Sequence, residues 1–130
     1  MGAVSRVAVA EDDVDMRTII ADALRKDGYR VVEFGDGASL QRELAEPSDG
    51  PLALVVSDVR MPLVDGLTVL RGLRDTGSAL PVVLMTAFGD EVAQKETSRL
   101  GAVLFNKPFK LAELRETVRS LLSQTGAVVA

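Results

Sequence analysis

Five consecutive apolar residues, Leu52-Ala53-Leu54-Val55-Val56, run straight into Ser57 and Asp58, and this stretch constrains the chain more than any other. A run so short and so rich in Leu and Val is no ordinary amphipathic helix. It reads as a strand buried on both faces, the kind found in parallel sheets covered by helices. Met61-Pro62 closes it, because Pro has no N–H to offer a ladder. Asp58 therefore stands at the carboxyl end of a central parallel strand, the edge where open α/β sheets place their ligands. One Asp at such a place is also an ordinary turn former, so the rest of the chain has to decide.

The rest alternates. Arg6 to Ala10 is a β-rich run that ends in Glu11, Asp12 and Asp13. Met16, Ile19, Ile20, Ala23 and Leu24 then recur at helical spacing, and Asp27-Gly28 stops that helix with Gly28 as its C-terminal cap. Arg30 to Phe34 reads as a second strand, followed by a short helix with Leu40 and Leu44 on one face. After the Asp58 strand, Leu67, Leu70 and Leu73 mark a third helix. Val82 to Met85 is a fourth strand ending at Thr86. Glu91 to Leu100 is polar and only weakly amphipathic, and it is read as a fourth helix closed by Gly101. Ala102 to Asn106 is a fifth strand ending at Lys107-Pro108, and Leu111, Leu114, Val118, Leu121 and Leu122 give a final helix. The tail after Gln124 is expected to fray.

Five strands alternating with five helices predict a doubly wound α/β fold, with right-handed crossovers and the flavodoxin-like strand order 2-1-3-4-5. The 130 residues suit one domain spanning 1–130, with a core over about residues 5–123. With 47% apolar and 26% charged residues the chain is globular, and it carries no cysteine and no histidine. Disulfide, thiolate and His-based chemistry are thereby excluded within this chain. No apolar run approaches the roughly 18 residues of a membrane span. A net charge of −4 argues against a nucleic-acid surface on this domain. A cytoplasmic location is expected.

Four of the five strands end in a polar group: Glu11-Asp12, Asp58, Thr86 and Lys107. In a parallel sheet these ends share one edge, so three carboxylates, a hydroxyl and an ammonium converge from four separate places in the sequence. Clustered carboxylates repel one another unless a hard cation sits among them. Mg²⁺ suits Glu11, Asp12 and Asp58, with a backbone carbonyl near Arg60, and the lack of His and Cys argues against zinc. A carboxylate facing Mg²⁺, a Lys and a Thr hydroxyl is arranged as a phosphoryl acceptor, with the carboxylate oxygen as nucleophile.

The motifs Val-Ala-Glu-Asp-Asp (9–13), Ser-Asp-Val-Arg-Met-Pro (57–62) with Asp65-Gly66 beyond, Met-Thr-Ala (85–87) and Lys-Pro-Phe (107–109) together resemble the response-regulator receiver domains of two-component signalling. The resemblance covers about residues 5–123. It implies that Asp58 is the phosphoacceptor and that Glu11 and Asp12 form the metal-binding pair, with Asp12 the direct ligand. It further implies that Thr86 is the switch hydroxyl, Lys107 the phosphate-binding lysine and Lys107-Pro108 a cis peptide. Asp13 falls outside the pair and is read as solvated or as the cap of the first helix. The partners implied are a histidine kinase or histidine phosphotransfer protein and a downstream effector domain or protein, with phosphorylation-dependent dimerisation as one form the switch can take. The same resemblance makes the chain a signalling phosphoacceptor rather than an enzyme, and an N-terminal receiver of a longer transcriptional regulator is one setting for it.

One position departs from the family pattern. The aromatic often found three residues before the lysine is replaced by Leu104, and Phe105 comes one residue later. Strand alternation points these two side chains to opposite faces, so Phe105 cannot stand in for the missing ring. Arg60 and Phe88, each two residues after a site residue, are expected to flank the mouth of the site. Three rival readings remain at this point. An aspartate-nucleophile phosphatase typically has a second Asp where this chain has Arg60. A flavin or nucleotide binder would need a phosphate-cradling loop where Glu11-Asp12-Asp13 would repel phosphate. A receiver-like module that is never phosphorylated would be distinguished by phosphate incorporation.

Overall fold

Each apolar run becomes a strand and each periodic segment a helix. The computed structural model describes residues 4–124. Their order is β1 (Arg6–Ala10), α1 (Val14–Lys26), β2 (Arg30–Phe34), α2 (Gly37–Ala45), β3 (Leu54–Asp58), α3 (Gly66–Asp75), β4 (Val82–Ala87), α4 (Glu91–Arg99), β5 (Val103–Lys107) and α5 (Leu111–Gln124). The tail expected to fray lies outside the described residues. All strand pairs are parallel, in the order β2-β1-β3-β4-β5 that the alternation predicts. β1 and β3 are buried along their whole length, whereas the edge strands β2 and β5 are only partly covered.

The core lies on both faces of the sheet. Ala8, Ala10, Val55 and Leu84 pack with Leu40, Leu67, Leu70 and Ala93 from α2, α3 and α4. Val7, Val9, Val56 and Met85 pack with Ile20, Leu24, Leu114 and Leu122 from α1 and α5. Each fully covered Leu or Val contributes about 1.5–3 kcal/mol relative to exposure. Strand alternation also separates Leu104 from Phe105, as expected. Leu104 joins the α2–α4 side, and Phe105 joins the α1/α5 side edge-on to Phe109, with ring centroids 5.5 Å apart.

Three boundaries move relative to the sequence reading. Leu52 and Ala53 stay outside β3, which begins at Leu54 and ends at Asp58. β4 and β5 run on through Ala87 and Lys107. Asp58, Thr86 and Lys107 thus belong to the strands, because ladder pairing continues to their ends, with Asp58 opposite Met85, Thr86 opposite Asn106 and Lys107 opposite Ala87, whereas Glu11 and Asp12 follow the end of β1. On α1, Ile19 is exposed while Ala21 is buried. Ile19 lies beside Met16 along a shallow cavity bordered by Pro108, Phe109 and Leu111, so the buried stripe is rotated away from it. Gly28 adopts φ 98° at the C-terminal end of α1, the left-handed conformation that its capping role requires.

Candidate functional site

The polar strand ends meet on one edge of the sheet. Glu11 follows β1 directly, with its N–H donated to the Phe34 carbonyl of β2 at 3.0 Å. The Arg17 guanidinium holds the Glu11 carbonyl at 2.7 Å, so α1 pins the end of the first strand. Asp58 closes β3, and the next N–H, that of Val59, bonds to the Met85 carbonyl of β4 at 2.8 Å. Gly66 lets the start of α3 approach this strand end: a Cβ there would lie 2.4 Å from the Asp58 carbonyl oxygen. Glycine at the first position of α3 is thus a packing requirement of the site.

Lys107 reaches from β5 and joins the two buried acids. Its Nζ donates to Asp58 Oδ2 at 2.8 Å and to Glu11 Oε1 at 2.9 Å. Glu11 and Asp58 are buried, while the Lys107 side chain keeps about a third of its surface in solvent and Asp12 is exposed. Burial pushes the Glu11 carboxyl up to about 7; Lys107 pulls against this, and the neighbouring Asp58 adds to it. Burial works against the Lys107 ammonium as well, but its bonds to Asp58 and Glu11 outweigh that and raise its pKa. The pocket is therefore short of positive charge.

Glu11, Asp12 and Asp58 each offer a carboxylate oxygen, all within 4.8 Å of one another. Three hard oxygen donors, one of them open to solvent, fit a divalent cation that keeps part of its water shell. Asp13 is not among them. It caps α1, accepting the N–H groups of Asp15 and Met16 at 3.0 and 3.1 Å, as one of its two expected roles required. The Arg60 N–H donates to Asp58 Oδ1 at 3.3 Å. The Lys107-Pro108 peptide is cis, as the resemblance implied.

Thr86 is buried in β4, but its hydroxyl is donated to Asp90 Oδ2 at 3.0 Å. Asp90 is the residue that reading the sequence missed. Its other oxygen caps α4 by accepting the Ala93 N–H at 3.0 Å, and the Arg60 guanidinium stands 3.6 Å from Oδ2. The Ala93 N–H, followed by Thr86 and Arg60, holds the Asp90 carboxyl below the usual carboxylate range against the effect of burial. An Asp directly before a helix is a legible capping signal; that the same carboxylate also takes the Thr86 hydroxyl is not. Of the two residues expected at the mouth of the site, Arg60 turns its exposed side chain to Asp90, and Phe88 is exposed on the loop after β4.

Comparison with known proteins decides the family. The family model of the response regulator receiver domain matches residues 7–119. This chain belongs to the response regulator receiver domains. The response regulator receiver protein CpdR of Brucella abortus is 32% identical over 118 residues, which is 90% of this chain and 96% of CpdR. The response regulator MprA of Mycobacterium ulcerans is 38% identical over 122 residues, 92% of this chain but 51% of MprA. The chain thus spans nearly all of one relative and about half of the other. Among solved structures, the receiver domain of a Francisella response regulator superposes with a TM-score of 0.85 at 25% identity, covering 93% of this chain and 98% of that one. The flavodoxin-like fold and the two-component signalling role read from the motifs are those of this family. Among the described residues no helix is long and apolar enough to cross a membrane.

Proposed function

We propose that this receiver domain accepts a phosphoryl group on Asp58 from a phosphohistidine of a partner histidine kinase or phosphotransfer protein. The observation that carries the reading is the Lys107 ammonium held between Asp58 and Glu11 at the edge of the sheet. In the transfer, an Asp58 carboxylate oxygen forms the new bond to phosphorus as the phosphorus–nitrogen bond to the donor imidazole breaks, and the departing imidazole takes up a proton. Glu11, Asp12, Asp58 and the Arg60 carbonyl would hold Mg²⁺, which neutralises charge on the transferred oxygens. Lys107 supplies a second positive charge to the same oxygens, and Thr86 offers its hydroxyl to one of them. These 130 residues carry no histidine, so the phosphodonor lies outside them. An effector domain or protein reads the result, in the cytoplasm, and pairing of two phosphorylated copies is one way it can do so.

Intact-mass spectrometry after incubation with acetyl phosphate and Mg²⁺ tests this reading. One added phosphate is expected, and none in Asp58→Asn. Equal labelling of the Asn variant would place the acceptor elsewhere.

A further inference from the structure

A hydroxyl has one proton to donate. That of Thr86 is already committed, to Asp90 Oδ2 at 3.0 Å, and Thr86 is buried so that water does not compete for it. The same Asp90 oxygen faces the Arg60 guanidinium at 3.6 Å, and Arg60 follows Asp58 by only two residues. A phosphoryl group on Asp58 would present new acceptor oxygens to these two donors. We infer that Asp90 is a latch: it holds the Thr86 hydroxyl and the Arg60 guanidinium away from Asp58 until a phosphoryl group outbids it for both. This rests on Asp58 being the phosphoacceptor, as proposed above.

The latch ties the exchange to a helix. Asp90 Oδ1 caps α4 through the Ala93 N–H at 3.0 Å while Oδ2 holds Thr86. An Asp90 that loses both partners of Oδ2 is free to turn, and turning alters the first turn of α4. The helix offers little resistance, since only Ala93 and Thr97 are buried along it. The Thr97 hydroxyl is buried with no hydrogen-bond partner, a cost that a shift of α4 can relieve. A route through Asp90 to α4 requires no aromatic ring at position 104. Asp90 is a positioning residue in this account, acting through Thr86 and not on the phosphoryl group.

The latch opposes the phosphorylated arrangement, so releasing it should tighten binding of an aspartyl-phosphate mimic. Asp90→Asn is the chosen variant. Asn caps a helix as well as Asp does, but it presents an amide to Thr86 and no charge to Arg60. With beryllofluoride and Mg²⁺ titrated against the protein and followed by backbone amide shifts, Asp90→Asn should bind about tenfold more tightly than the parent. That factor corresponds to one hydrogen bond to a charged group. Before any mimic is added, its Thr86 and α4 amides should already lie part-way toward their bound positions. A merely structural role for Asp90 would weaken binding, so the sign separates the two. A second measurement leaves Asp90 intact: the Asp90 carboxyl carbon resonance of the parent should move when the mimic binds. Equal affinity in parent and variant, or an Asp90 resonance that stays fixed while amides near Asp58 move, overturns the latch and leaves the phosphoacceptor reading standing. A parent that binds no mimic, or an Asp58→Asn variant that binds it equally well, overturns both.

Discussion

The pocket at the ends of β1, β3 and β5 and the stretch from Thr86 through α4 lie on the same edge of the sheet but are held by different forces. In the pocket, Glu11 and Asp58 are buried behind strands with apolar side chains on both faces, and Lys107 closes the gap between them. Along α4 only Ala93 and Thr97 are buried, and polar contacts do the holding. Asp90 caps the start, Glu96 pairs with Arg71 and Arg99, and Arg74 of α3 donates to the Leu100 carbonyl at 2.7 Å. A segment held by burial cannot move without exposing apolar surface. A segment held mainly by half-buried polar contacts, with little apolar packing beneath it, exposes far less apolar surface when it shifts. On the reading proposed above, the chemistry belongs to the half held by burial and the signal to the half with little packing.

The contrast breaks most visibly in stability. Leu84 is fully buried in β4, so Leu84→Ala should cost about 2–5 kcal/mol. Val92 is exposed on α4, and Val92→Ala should stay within about 0.5 kcal/mol. Urea denaturation measures both, and similar costs would mean that α4 carries as much packing as the sheet.

Smaller, and confined to the pocket, is the effect of a cation. With a dissociation constant of about 1 mM, roughly 10 mM Mg²⁺ should add on the order of 1.4 kcal/mol. Asp12→Ala should remove most of that gain. A melting temperature of the parent that ignores Mg²⁺ would show that Glu11, Asp12 and Asp58 do not share an ion.

Beryllofluoride sharpens the comparison further. Amides near Asp58, Thr86 and the start of α4 should shift strongly, and those of residues 104–120 only weakly. Leu104 has no ring to swing, and Phe105 is anchored on the opposite face. Shifts throughout α5 as large as those at Thr86 would show that β5 carries the signal after all.

The smallest effect is that of acid on α4. Arg99 and then Arg71 hold the Glu96 carboxyl down at about 2, against 4.5 for a free one. Its folded pKa is depressed, so its contribution is complete above about 4.5 and is lost as the pH falls toward 2. Between about pH 6 and about pH 3, amide exchange in α4 should accelerate relative to β1 once the intrinsic pH effect is removed. Salt should blunt the difference. Parallel behaviour of the two elements would remove Glu96 from the account of α4.

The sequence by itself determined the five strands, the five helices and the strand order, because hydrophobic period is a local property and the crossover rule leaves few ways to join parallel strands. It also determined which polar groups share an edge, since every strand of a parallel sheet ends on the same side. The family departure at Leu104 was legible for a like reason, because alternation fixes the face. The helical period of α1 placed Ile19 one step too far inward, since the orientation of a stripe depends on what α5 and the residues after β5 leave uncovered. α4 gave a weak signal because it buries so little. Only the tertiary structure decided which charges pair: Lys107 meets Glu11 and Asp58 across 96 and 49 residues of chain. Only there, too, does the Thr86 proton go to Asp90, four residues on. A side chain's type states what it can donate or accept. Which partner it takes depends on rotamer and loop geometry, and neither repeats along the sequence.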